Sequence, residues 1–130
     1  PSGLAISQTG GHGDMRDVVD VPRQAGAPLT PAELHFCTLA DGVDAVIRAT
    51  REQLMKGASQ IKLMAGGGIV SLRDPLDSLQ YSLEEMRAAV NAAADWGTYV
   101  TVHAYTPDSI RRGMCVVSSM ATWLTTTPRS

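Results

Sequence analysis

Gln60-Ile61-Lys62-Leu63-Met64-Ala65-Gly66-Gly67-Gly68 is the stretch that decides how the rest of the chain is read. A short apolar run with β-branched content stops abruptly at three glycines, as a buried strand feeding a loop does. Upstream, Asp41 reads as an N-cap, and Val43, Val46, Ile47, Thr50 and Leu54 recur at steps of three and four until Gly57, which predicts a helix over 42–56. Downstream, Ser82-Leu83-Glu84-Glu85 is a capping box, Leu83, Met86, Val90 and Ala93 form the buried stripe, and Gly97 ends that helix just after Trp96. Thr98 to Ala104 alternates β-branched and aromatic residues and reads as the next strand. Strands alternating with helical crossovers predict an α/β fold of parallel βαβ units with right-handed connections.

Further out the signals weaken. Leu4-Ala5-Ile6 reads as a strand end running into the glycine-rich turn Thr9-Gly10-Gly11-His12-Gly13-Asp14. Residues 14–31 carry two prolines inside the stretch and no apolar period, which predicts a long irregular connection, with a short helix somewhere in 32–39. Thr106-Pro107-Asp108 offers an N-cap, a proline at N1 and an acid at the positive helix end, so a helix is predicted from Pro107 to about Arg112, followed by a strand over Met114 to Val117. Residues 118–130 hold seven Ser or Thr among thirteen and no amphipathic period, and are expected to be an irregular tail.

Composition limits the function classes. The chain has 130 residues, 44% apolar and 18% charged, with a formal charge of −2, which describes one globular domain without a basic stripe to grip phosphates. No nucleic-acid partner is expected. The longest apolar runs fall far short of the ~20 residues of a membrane span, and Pro-Ser-Gly at the start is no secretory signal, so neither a membrane nor an address is expected. Cys37 and Cys115 lie far apart, which suits reduced thiols in a cytoplasmic setting.

The chemistry rests on parity. Ile61 and Leu63 oppose Gln60, Lys62 and Met64 across one strand, and Val100, Val102 and Ala104 oppose Tyr99, Thr101 and His103 across the other. With the aliphatic sets against the helices, Lys62 and His103 share the opposite face near the carboxyl ends of strands that follow one another, where parallel α/β folds bind ligands. An unpaired ammonium enclosed there costs several kcal/mol, so a neutralising or ligating partner is called for. A lone strand lysine otherwise snorkels to solvent, and a lone histidine more often just completes a hydrogen-bonded core. His12 sits in a loop able to reach the same mouth, the alternative being a solvated turn histidine. The glycine triplet is a weak phosphate-cradle signal, because it lacks the Gly-Lys-Ser/Thr ending and no helix start follows. His35 has no such context and reads as a surface or loop residue.

Ile6-Ser7-Gln8-Thr9-Gly10-Gly11-His12-Gly13-Asp14, Gly57 through Gly68, and Val100-Thr101-Val102-His103-Ala104-Tyr105 together resemble the metal-dependent amidohydrolase superfamily, and within it the prolidase-like and imidazolonepropionase-related dipeptidases. The resemblance runs over about residues 3–113 and implies a (β/α)₈ TIM-type barrel, of which residues 1–117 would supply the end of strand three, strands four and five, and the start of strand six. It implies that Lys62 is carbamylated and bridges divalent metals, usually zinc, that His103 binds one of them, and that His12 and Tyr105 contact substrate. The general base has no counterpart in this chain. Neither do the strand-one His-x-His pair, the strand-six histidine and the strand-eight aspartate. A barrel needs about 200 residues or more, so an incomplete one is expected.

After strand five the family continues into a segment like Glu-His-Gly-His-Leu-Val-Asp-Asp. Codons for Ser118 to Thr127, shifted by one base, permit much of that segment, so the tail is expected to be the product of a frameshift near Val117. Two functional expectations follow: a zinc-type amidohydrolase acting on a small amide or dipeptide, and a catalytically silent fragment that hides its sheet edges by homo-oligomer formation.

Overall fold

The structure is a computed structural model and describes residues 1–69 and 73–124, the last eight of these by backbone alone. Along the chain come β1 (Ala5–Ser7), a 3₁₀ turn (Val18–Asp20), α1 (Pro31–His35), β2 (Cys37–Leu39), α2 (Val43–Met55), β3 (Ile61–Met64), α3 (Leu83–Asp95), β4 (Val100–His103) and α4 (Pro107–Leu124). The strands form one parallel sheet in the order β2-β1-β3-β4. The predicted βαβ units are therefore present, as β2-α2-β3, whose strands flank β1, and β3-α3-β4.

Register divides the sheet into two faces. Ile6 sits beside Leu63 and Leu63 beside Val102, and this aliphatic row packs with Ile61 and Val100 against Val46 and Leu54 of α2, Met86 and Val90 of α3, and Val116 of α4. Each such side chain contributes about 1.5–3 kcal/mol on burial, so the helix-facing side holds the fold together. The other face has the small apolar cluster Ala5, Cys37 and Met64. Among the described residues no helix is long and apolar enough to cross a membrane, and both cysteines are free, Cys37 buried and Cys115 exposed.

The helices form where their caps and stripes predict, with instructive shifts. Ser82 and Glu85 make the capping box on α3, and Gly97 at φ +80° turns the chain out after Trp96. Thr106 caps α4, its hydroxyl accepting from Ser109 N at 3.3 Å. On α2, however, the N-cap is Gly42 and makes no side-chain cap bond, because Asp41 is drawn away by Thr9, accepting from its N–H at 2.9 Å and its hydroxyl at 2.6 Å. Val43 is exposed, and Ala49 and Gln53 take up the buried face, Gln53 Oε1 accepting the Leu4 N–H that opens β1.

Three expectations are corrected. The short helix expected within 32–39 ends at His35, and Cys37–Leu39 is an edge strand paired to β1. The strand expected over Met114–Val117 is helix, since Ser109, Gly113 and Val116 fall four and three apart on one buried face of α4. Gly113 is needed there, because a Cβ would lie 2.9 Å from Val102 Cγ2. The backbone stays helical to Leu124, through residues expected to be irregular, because nothing in Ser118–Leu124 breaks a helix already propagating from α4. Residues 125–130 of that expected tail lie outside the described residues.

Candidate active site

Lys62 pairs laterally with Thr101 and Met64 with His103, so these four side chains share the face opposite the main core, as parity predicts. His103 is the last residue of β4, while Lys62 stands two residues before the end of β3. The His103 ring is half-buried and its Nε2 has no hydrogen-bond partner. Burial lowers its pKa, the positive charges of His12 and Lys62 lower it further, and Asp74 opposes them. Lys62 and His103 thus stand on neighbouring strands of one sheet face, two register positions apart.

His12 arrives from the loop after β1. That loop folds tightly over Ser7 at the carboxyl end of β1 and Cys37 at the start of β2: a Cβ on Gly13 would lie 2.3 Å from Cys37 Sγ and one on Gly11 2.7 Å from Ser7 Oγ. The His12 ring stacks on His103 with centroids 4.7 Å apart and planes 5° from parallel. Tyr105 meets the other ring edge-on at 5.0 Å and 88°, its own side chain half-exposed. His12 is no solvated turn residue, for only 16% of its side chain is exposed. His35 is exposed at the end of α1, as expected. Three residues singled out from sequence, His12, His103 and Tyr105, therefore meet at one rim, and Lys62 lies on the same sheet face.

The glycine triplet serves a different end from a phosphate cradle. A Cβ on Gly68 would fall 1.8 Å from His12 Cε1, so the backbone there is the seat of the imidazole ring. Gly67 is forced by the returning loop, whose Pro75 carbonyl oxygen would be 2.0 Å from a Cβ. That loop closes on β3 through the Gly66–Leu79 bridge and the Gln80 N–H donated to Ala65.

The same loop delivers a residue that sequence reading missed. Asp74, its side chain 2% exposed, brings Oδ2 to 3.3 Å from His12 Nδ1. Asp74-Pro75 looks like an ordinary turn, and no local signal distinguishes it. Asp14 also anchors the rim: burial raises its pKa, but hydrogen bonds from the Arg16 guanidinium and the Gly10 and Arg16 N–H groups outweigh this and hold it below the usual carboxylate value. Among the described residues no three His, Cys, Asp or Glu side chains gather as a metal set.

Residues 8–112 match the Amidohydrolase family. The chain belongs to that family. Ochratoxinase of Aspergillus niger is 37% identical over 110 residues, which are 80% of this chain and 23% of that protein. A prolidase solved with N-methylphosphonate-L-proline superposes with a TM-score of 0.75 at 44% identity, over 89% of this chain and 28% of its own. A Xaa-Pro dipeptidase with methionine in its active site gives 0.67 at 28% identity, over 86% of this chain and 26% of its own. The chain thus spans about a quarter of the length of these amidohydrolase relatives, and its parallel sheet is a fragment of their TIM barrels.

Proposed function

We propose that the rim formed by Lys62, His103, His12 and Tyr105 is part of a site that hydrolyses the amide or peptide bond of a small, dipeptide-like substrate with a water activated by a divalent metal, zinc being the first candidate. The observation that carries this reading is the buried, unpartnered Nε2 of His103 on the sheet face it shares with Lys62. A buried imidazole nitrogen without a hydrogen bond is costly unless something accepts or is ligated by it. Two of this chain's residues fit a metal: His103 through that nitrogen, and Lys62 once its amine has added to CO₂. The ammonium first gives one proton to solvent; the free amine then forms the N–C bond as one C=O π pair of CO₂ moves onto oxygen, and a second proton leaves to solvent, so a half-enclosed cation becomes an anionic oxygen donor suited to a divalent ion. When bound, the metal lowers the pKa of its water towards 7 and polarises the scissile carbonyl. The chain's own residues do the rest that falls to them: the His12–His103 stack closes one wall against water, the Tyr105 phenol offers a donor to a substrate carboxylate, and His12 contacts the substrate beside it. The names of the prolidase and Xaa-Pro dipeptidase relatives support a dipeptide.

The test is a graft of residues 8–112 into the matching segment of the prolidase relative. Hydrolysis of an Xaa-Pro dipeptide should persist, and His103→Asn or Lys62→Met should each reduce it by more than the roughly 10–100-fold that loss of an outer-shell metal partner costs. A graft whose activity survives both substitutions defeats the reading. A second reading concerns the chain by itself. With β2 and β4 at the sheet edges, the isolated chain would be silent and would self-associate, and a monomer in size-exclusion chromatography would dismiss it.

A further inference from the structure

Gln80 joins the two loops that build the rim. It is 1% exposed, its Oε1 accepts the His12 backbone N–H at 2.9 Å, and its Nε2 donates to Asp74 Oδ2 at 3.2 Å and to Ser78 Oγ at 3.1 Å. Asp74 Oδ2 also accepts the Gly68 N–H at 3.2 Å. One residue therefore fixes the backbone from which His12 springs and the carboxylate that its ring faces, while Gly68 and His103 fix the ring plane.

We propose that Asp74 and Gln80 are positioning residues that hold His12 in a single orientation and tautomer, Nδ1–H towards Asp74, leaving Nε2 as the ring's hydrogen-bond acceptor. The proposal rests on the reading of this rim as the hydrolytic site. A buried carboxylate attracts an imidazole nitrogen that carries a proton and repels one that presents a lone pair, and the low local dielectric enlarges the difference. The apposition is still loose: His12 Nδ1 lies 3.3 Å from Asp74 Oδ2 without a hydrogen bond, and Asp74 Oδ1 likewise has no hydrogen-bond partner. Contacts of this kind tighten when a site fills. The orienting group was invisible in sequence because Asp74 lies sixty-two positions from His12 and meets it only after the 66–80 loop folds back.

Long-range proton–nitrogen spectra of the 130-residue chain labelled at its histidine ring nitrogens read the tautomer directly, at alkaline pH where imidazoles are neutral. Exposed His35 gives the averaged reference in the same spectrum. His12 should show one protonated-type nitrogen, Nδ1, and one unprotonated-type, Nε2. Asp74→Asn, which keeps an oxygen acceptor, should preserve this pattern, and Asp74→Ala should draw both shifts towards the His35 average. The proposal is overturned by an averaged or Nε2–H His12 in the unmutated chain, which decides the matter even where Asp74→Ala does not fold. A folded Asp74→Ala chain with unchanged His12 shifts overturns it equally. These spectra involve neither metal nor substrate, so an inactive graft with a correctly oriented His12 would refute the hydrolytic reading and leave the positioning intact.

Discussion

Substituting Gly68 by alanine tests whether the glycine triplet exists to seat a ring. The added Cβ would lie 1.8 Å from His12 Cε1, 2.3 Å from Nδ1 and 2.4 Å from Nε2, so ring and methyl cannot coexist. Either the ring swings out, losing a stacked pair worth about 0.5–1.5 kcal/mol together with its approach to Asp74, or the 66–80 loop shifts at the usual overpacking cost of about 1–3 kcal/mol. Both routes point to about 2 kcal/mol, which for a chain of this length is a fall in Tm of roughly 6–10 °C. Urea unfolding measures the loss, and the nuclear Overhauser contact between the His12 ring and Gly68 Hα reports the ring. Gly26→Ala is the control, since at φ +81° with nothing within 4 Å it costs only backbone strain of about 1 kcal/mol and leaves the ring alone. Stability within about 0.5 kcal/mol of the parent, with the ring contact retained, would refute the packing argument.

Other substitutions probe the supports of the rim. Asp14→Asn should destabilise by about 1 kcal/mol at neutral pH. Because the folded carboxyl titrates below its unfolded value, its contribution is present above about pH 4 and fades as pH falls through the folded pKa, so the difference between the two proteins in denaturation should vanish in acid. Glu85→Ala should cost more than the roughly 1 kcal/mol of Ser82→Ala, because Glu85 accepts from Ser82 N at 2.8 Å on α3 and also from Gly42 N at 2.8 Å at the start of α2. Thiol titration of the folded chain should count Cys115 and leave Cys37 unmodified until denaturant is added, since burial pushes the Cys37 pKa up to about 12.

What could be read from the sequence is what neighbours in sequence decide. The β3-α3-β4 unit was legible because a capping box, an apolar stripe and a glycine stop agree over adjacent residues, and strand parity then put Lys62 and His103 on one face without further information. Cys37–Leu39 was not, because three residues directly after a short helix are too few to establish an alternation, and pairing with β1 makes them a strand. The Met114–Val117 segment looked like a strand for its β-branched end, whereas the stripe that makes it helical uses Ser109 and Gly113, small residues that an apolar pattern overlooks.

The site divides along the same line. Lys62, His103 and Tyr105 sit on or beside regular elements, so their placement follows from period and order. Asp41 shows the opposite case: as a local cap it was the natural reading, yet Thr9, thirty-two positions away, offers two donors and takes it. Asp74 belongs to that second class, since its meaning comes from Gln80, Gly68 and His12 converging across three loop segments. The residues proposed for the reaction on β3 and β4 are therefore inferable from strand logic, while those proposed to orient His12 depend on loop closure. A change at Asp74 should thus alter how His12 is held while leaving the β3-β4 register, and with it the shared face of Lys62 and His103, where it is.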